Sequence, residues 1–178
     1  EKSTDEKRLP PRTKVVSIMG EMGRDFDGSY AEYVLLPNEQ IYTVRTDLSW
    51  PIMAAIPETY HTAFGTLQNL KVENGDTVLV RGATSGVGVA FAKLLKARYS
   101  KVQLYGSTRS MNKREQLLAA GFDECILDNS GRLVTDMAFD KIADMVEPAK
   151  VFTLAEIREA QAYLDSTESF GKVVVLND

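Results

Sequence analysis

A glycine-rich turn between an apolar segment and a helical segment is the strongest chemical signal in this sequence. Residues 77–80 are apolar or β-branched without polar alternation, which is typical of a strand buried on both faces. Residues 89–94 then begin a helix, whose N-terminus places partial positive charge near any anion bound there. The glycines between them let backbone N–H groups approach a pyrophosphate closely. The residues predicted to contact it are Thr84, Ser85, Gly86, Val87 and Gly88.

The spacing of the glycines at 82, 86 and 88 differs from the usual G-x-G-x-x-G pattern of dinucleotide-binding turns. Glycine-rich turns that bind nothing are common, so the spacing by itself does not identify a ligand. The position of this turn, directly between a buried strand and a helix, favours a dinucleotide.

The segment after the second predicted strand, residues 101–106, indicates which dinucleotide binds. In a domain selective for NAD, an Asp or Glu about 20 residues past the last glycine of the turn holds the ribose 2′-hydroxyl. No acid occurs here between residues 105 and 114. Hydroxyl and basic side chains, which can bind a phosphate, take its place: Ser107, Thr108, Arg109 and Lys113. We therefore predict NADP(H) as the cofactor; the alternative is a solvated basic turn.

Few other groups in the sequence suit catalysis. A catalytic zinc needs three protein ligands, and this chain has one Cys and one His, far apart, so we predict no metal site. Cys125 lies in an apolar stretch and is predicted to be a core residue, not a nucleophile. The sequence does not identify the catalytic residues.

The bulk composition argues against several classes of protein. The formal net charge is −4, so general affinity for nucleic acid is not expected. No apolar run approaches the roughly 18 residues of a transmembrane helix, so no membrane partner is expected. One cysteine cannot form an intrachain disulfide, and these features together favour a cytoplasmic protein.

The glycine turn needs a parallel sheet to position it, and the hydrophobic pattern predicts one. Strands alternate with helices after residue 77, which is typical of βαβ units. The elements predicted there are a helix at 89–99, a strand at 101–106, a helix at 112–120 and a strand at 124–128. Beyond them we predict a helix at 136–146, a strand at 150–152, a helix from Thr153 to about residue 166 that opens with a capping box, and a strand at 171–176.

The part of the chain before the glycine turn has the pattern of a small β-rich region. Short strands are predicted at 14–18, 29–36 and 41–44, separated by turn residues. A helix over 51–67 is predicted to be interrupted at Pro57. Residues 1–13 are charged and carry a proline pair, which predicts a disordered lead or linker.

Six motifs occur in order along the chain, at 28–34, 62–64, 74–80, 82–88, 118–123 and 171–174. Together they resemble the medium-chain dehydrogenase/reductase superfamily, in its zinc-free quinone oxidoreductase branch. The resemblance implies an α/β fold with a partial Rossmann-type parallel sheet and a partial, discontinuous, β-rich GroES-like domain. The GroES-like domain would comprise residues 14–66 and 149–178, with 172–176 pairing with the N-terminal strands, and the NADP-binding domain residues 67–148. Blocks of both family domains have no counterpart here. Either the protein is shortened, in which case half of the nicotinamide pocket is absent, or these stretches are missing from the sequence alone.

The resemblance also implies a function. We expect a zinc-independent, NADPH-dependent oxidoreductase that transfers hydride to a small-molecule quinone, enone or similar carbonyl-conjugated compound. Thr62 matches the position of the family's nicotinamide-contacting threonine. For the adjacent Tyr60 and His61, aromatic packing and a place on the helix surface are the alternatives to a role in the site. Relatives often dimerise, so a homodimer is a candidate assembly.

Two other functions stay open. A non-catalytic NADP-binding or structural protein of the same family would keep the fold and lack the activity. A short-chain dehydrogenase would also fit the glycine spacing, but it needs a Tyr-x-x-x-Lys motif downstream. Tyr163 has no Lys at that spacing.

Overall fold

The computed structural model describes residues 3–18, 20–144, 148–153 and 172–176. The chain divides into two compact units, Glu1–Thr62 and Ala63–Asp178. The second unit contains the glycine turn and the sheet that leads into it.

The first unit contains a small antiparallel sheet and two helices. Strand β1 (Val15–Ser17) pairs with β2 (Ile41–Thr43). Helix α1 spans Trp50–Ala54, and α2 spans Pro57–Leu70 and so continues into the second unit. The predicted interruption at Pro57 is confirmed, because proline is tolerated in the first turn of a helix and not in its interior.

One predicted strand of the first unit is not found in the structure. Residues 29–36, predicted as a strand, form none, and Tyr30 and Leu35 are exposed. A strand needs backbone partners, which an apolar pattern alone does not supply. Within the N-terminal segment, Arg8 Nη1 donates to the carbonyl oxygen of Ile41 at 3.0 Å and Leu9 is buried. That residues 1–13 are a disordered lead or linker stays a prediction.

The second unit is built on a five-stranded sheet with β3 (Thr77–Arg81) inside it. Strand β3 lies between β4 (Gln103–Thr108) and β7 (Lys141–Asp144), and β5 (Glu124–Asn129) lies on the other side of β4. These four strands are parallel, whereas the short β6 (Arg132–Leu133) runs antiparallel to β5. The predicted set of parallel strands after the glycine turn is confirmed.

Apolar burial explains why β3 occupies an inner position. Val78, Leu79 and Val80 are all fully buried, as expected for a strand covered on both faces. Helix α3 (Gly86–Arg98) joins β3 to β4 and buries Phe91 among its apolar residues. Helix α4 (Arg114–Ala119) joins β4 to β5 after a short 3₁₀ turn, so it begins two residues later than predicted.

Strand β7 lies in a stretch that was predicted to be an amphipathic helix, residues 136–146. Its backbone pairs with β3, with Leu79 opposite Ile142. Just before it, Asp140 Oδ2 accepts hydrogen bonds from the N–H and the Oγ1 of Thr77 at 2.8 and 2.7 Å. The helix prediction was wrong because a short apolar pattern does not distinguish helix from strand, and the edge of β3 supplied a partner from far along the chain.

Two further strands form a sheet of their own. Strand β8 (Pro148–Thr153) pairs in parallel with β9 (Lys172–Leu176). The prediction that residues 172–176 pair with the N-terminal strands was therefore wrong, because β8 provides their backbone partners. The helix predicted after Thr153 falls outside the described residues. The predicted domain limits, 14–66 with 149–178 and 67–148, stay predictions.

Candidate dinucleotide site

Residues 82–85 carry the chain from β3 into α3. Gly82 has a φ of +67°, in the left-handed region that favours glycine. The N–H of Ser85 donates to the carbonyl oxygen of Gly82 at 3.0 Å and closes the turn. Ser85 is also the N-cap of α3, and its Oγ accepts from the N–H of Gly88 at 3.0 Å. This cap satisfies one free N–H of the helix and determines where the helix begins.

Two glycines, Gly88 and Gly106, allow the residues around the turn to pack closely. A Cβ atom on Gly88 would lie 2.7 Å from the carbonyl oxygen of Gly82 and 2.8 Å from that of Ala83. A Cβ atom on Gly106, in β4, would lie 2.8 Å from Phe122 Cδ1 and 2.9 Å from Ala83 Cβ. Packing of α3 against the end of β3 therefore accounts for Gly88 without any ligand.

The first turn of α3 faces solvent. Thr84 and Gly86 are exposed, and Val87 is half-buried. The first N–H groups of a helix have no acceptor inside the helix, so a bound anion can take that role at Gly86 and Val87. The helix has 13 residues, and its dipole adds to the attraction for negative charge.

The four residues predicted to read a 2′-phosphate differ in exposure. Ser107 and Thr108 are buried at the carboxyl end of β4. The Oγ1 of Thr108 donates to the carbonyl oxygen of Ser110 at 3.1 Å and accepts from its N–H at 3.2 Å. Arg109 and Lys113 are exposed. Arg109 and Lys113 are therefore the two whose side chains face solvent, and Thr108 shapes the loop that carries them.

An ionic cluster at the same edge of the sheet was missed by sequence reasoning. Arg81 Nη2 donates to Asp128 Oδ2 at 3.0 Å, and Arg81 Nη1 donates to Asp144 Oδ2 at 3.3 Å. The three residues lie at or near the carboxyl ends of β3, β5 and β7. Carboxyl ends of parallel strands meet at one edge, so position at a strand end is the signal that could have located them.

Asp128 also interacts electrostatically with Arg109. The hydrogen bond from Arg81 holds the pKa of Asp128 below its ordinary value, against the opposing effect of burial. The N–H of Gly131 and the charges of Arg81 and Arg109 lower this pKa further. Asp128 is thus ionised near neutral pH and lies within electrostatic reach of the residue predicted to bind the phosphate.

Thr62 lies in α2, away from the glycine turn along the chain. Its side chain is exposed, and its Oγ1 donates to the carbonyl oxygen of Glu58 at 3.0 Å. The predicted contact of Thr62 with a nicotinamide stays a prediction. The neighbouring His61 is also exposed. Cys125 is buried in β5, as predicted for a core residue, and this burial raises the pKa of its thiol.

Neither a metal-binding cluster nor a membrane-spanning helix occurs in the described ranges. No group of three or more His, Cys, Asp or Glu side chains there is placed to hold a metal ion. None of the helices in the same ranges has the length and apolar character needed to cross a membrane.

No family model matches the chain. Individual proteins resemble it over about two thirds of its length or more. The quinone oxidoreductase of Pongo abelii is 30% identical over 127 residues, which cover 67% of this chain and 38% of that protein. The chain therefore spans well under half the length of this relative. The quinone oxidoreductase of Coxiella burnetii has a TM-score of 0.63 at 19% identity, covering 92% of this chain and 71% of that one. A short chain alcohol dehydrogenase of E. coli CFT073, in complex with NADH, has a TM-score of 0.63 at 20% identity, covering 88% of this chain and 45% of that one.

The parallel sheet, the connecting helices and the glycine turn define an α/β protein of the Rossmann type, and the predicted fold class is confirmed. The similarity to the quinone oxidoreductase of Pongo abelii supports membership of the medium-chain dehydrogenase/reductase superfamily. The two solved structures are 19% and 20% identical, so their likeness concerns the fold alone.

Proposed function

We propose that this protein is an NADPH-dependent oxidoreductase that transfers hydride, without zinc, to a quinone, an enone or a similar carbonyl-conjugated small molecule. The observation that carries the proposal is the open N-terminus of α3 at the carboxyl edge of the parallel sheet. In open α/β sheets, ligands bind outside the carboxyl ends of the strands. A quinone oxidoreductase at 30% identity and a structural neighbour complexed with NADH support the same reaction class.

In this proposal the glycine turn holds the pyrophosphate. The N–H groups of Gly86 and Val87 bind its oxygens, and the dipole of α3 favours its charge. The exposed Thr84 adds a hydroxyl donor, whereas the Oγ of Ser85 already accepts from Gly88 and serves mainly to hold the turn. The lack of a side chain at Gly86 leaves room for the phosphate.

The adenosine end of the cofactor is read by exposed basic side chains. Arg109 offers a planar set of N–H donors that suits a phosphate, and Lys113 adds a second positive charge. Ser107 and Thr108 are buried, so we give them the supporting role of positioning Arg109. This division of roles favours NADP(H) over NAD(H).

The reaction needs little acid–base machinery from the protein. A bound reduced nicotinamide supplies the hydride, so the chain's part is to bind and orient it. Thr62 is the residue that we propose to contact the nicotinamide. The chain offers poor zinc ligands. A metal binds the thiolate form of Cys, and the only Cys in the sequence is buried with a raised thiol pKa.

The test measures binding and turnover separately on the purified protein. We expect NADPH to bind more tightly than NADH in a calorimetric titration, and to be consumed when p-benzoquinone is added. A chelator should leave the rate unchanged. Absence of binding by either dinucleotide would overturn the proposal.

Binding without consumption would favour the alternative, a non-catalytic NADP-binding protein of the same superfamily. A homodimer and a cytoplasmic location are part of the proposal, and sedimentation velocity and cell fractionation test them.

A further inference from the structure

The carboxyl edge of the sheet carries a negative charge next to the residue proposed to read the cofactor. In the parallel pair of β4 and β5, Thr108 lies opposite Leu127. Arg109 directly follows β4, and Asp128 is the next residue of β5 after Leu127, so both lie at the same edge of the sheet, and the charge of Arg109 acts on Asp128. The side chain of Asp128 is only 9% exposed, whereas Arg109 faces solvent.

Both carboxylate oxygens of Asp128 are already engaged. Its Oδ2 accepts from Arg81 Nη2 at 3.0 Å, and its Oδ1 accepts from the N–H of Gly131 at 2.7 Å. These bonds hold the carboxylate in place and leave it poorly suited to accept a ribose hydroxyl. Its influence on a ligand at Arg109 is therefore through its charge.

We propose that Asp128 is a specificity-determining residue that limits the preference for NADPH, because its fixed negative charge beside Arg109 opposes the 2′-phosphate. The inference rests on the proposed function, since it assumes a dinucleotide with its adenosine ribose at Arg109. A 2′-phosphate carries up to two negative charges and NADH carries none at that position. Repulsion from Asp128 therefore acts on NADPH and spares NADH.

The test compares Asp128→Asn with Asp144→Asn in the full chain. Both variants remove one negative charge from a partner of Arg81, but Asp144 is on β7, on the far side of β3 from Arg109. We expect Asp128→Asn to tighten NADPH binding by about three- to tenfold at low salt and to change NADH binding by less than about twofold. Asp144→Asn should change the ratio of the two affinities by less than about twofold. Added salt should reduce the gain in NADPH affinity that Asp128→Asn produces.

Each outcome decides one question. If the wild-type protein binds neither dinucleotide, the proposed function fails. If the wild type binds both and Asp128→Asn leaves the affinity ratio unchanged, only the role of Asp128 fails. Weaker NADH binding in Asp128→Asn, or an equal gain in Asp144→Asn, would also overturn it.

Folding is checked by circular dichroism before each titration. Asp128→Ser, which is also uncharged and keeps an oxygen near the N–H of Gly131, replaces Asp128→Asn if the latter does not fold.

Discussion

Gly88 lies so close to the carbonyl oxygen of Gly82 that a Cβ atom at Gly88 would stand 2.7 Å from it. Real Cβ atoms essentially never approach a heavy atom within 3.0 Å, so any side chain here forces a movement. The neighbours are backbone atoms of Gly82 and Ala83, which cannot rotate away. The position of α3 against the end of β3 thus depends on a residue without a side chain.

Gly88→Ala should therefore destabilise the protein. The added methyl group forces α3 away from the turn, and overpacking of this kind costs roughly 1–3 kcal/mol. Urea denaturation at neutral pH measures the change. The matched control is Gly65→Ala in α2, where a Cβ would meet nothing within 4 Å. This control should gain about 0.5–1 kcal/mol from helix propensity. A Gly88→Ala variant as stable as the wild type would contradict the packing argument.

Gly86→Asp should separate dinucleotide binding from stability. The exposed first turn of α3 tolerates an acid, whose charge interacts favourably with the helix dipole. The same charge repels a pyrophosphate at this turn, so NADPH and NADH binding should both weaken by about tenfold or more. Gly86→Asn adds nearly the same bulk without the charge and should lose less affinity. Calorimetric titration gives the affinities, and unchanged affinity in folded Gly86→Asp would remove the turn from the cofactor site.

Arg109→Ala should change cofactor choice. A charge-assisted hydrogen bond contributes about 1.5–3 kcal/mol, so NADPH binding should weaken by roughly ten- to a hundredfold. NADH binding should change little, and the loss should shrink as salt is raised. Arg109→Lys keeps the charge and should retain part of the preference. Equal losses for both cofactors would mean that Arg109 supports the loop without reading the phosphate.

Because of the contact between Asp140 and Thr77, the free energy of unfolding should decrease as the pH is lowered. Two hydrogen bonds, first from the N–H and then from the hydroxyl of Thr77, hold the pKa of Asp140 below its ordinary value. A carboxyl with a lowered pKa contributes stability that is present above the unfolded pKa, about 3.9, and is lost as the pH falls through the folded value. In Asp140→Asn, the difference in the denaturation midpoint between neutral pH and about pH 3 should be smaller than in the wild type.

The control for this prediction is Asp136→Asn, which removes an exposed acid from the same connection before β7. It should keep the pH dependence of the wild type. An Asp140→Asn variant with an unaltered pH dependence would show that the contact with Thr77 does not couple to folding.

The strand, turn and helix around the glycines could be predicted from the sequence because their causes are local. An apolar run and the turn glycines lie within about 20 consecutive residues, and each acts on its neighbours. The basic loop after β4 could also be located from the sequence, because its hydroxyl and basic residues are neighbours along the chain. In contrast, residues 141–144 were predicted as helix and form a strand, because the edge of β3 is brought to them from more than 60 positions away.

The sequence alone therefore determined the parallel α/β fold class, the glycine turn and the basic loop that follows β4. Only the tertiary structure decided what surrounds them. It brings Asp128 within 3.0 Å of Arg81, 47 positions earlier, and places its charge beside Arg109. It also buries Ser107 and Thr108, which the sequence alone presents as hydroxyl donors. Hydrophobic periodicity reports which side chains an element buries, whereas partners between strands depend on the order of the strands, which no local pattern contains.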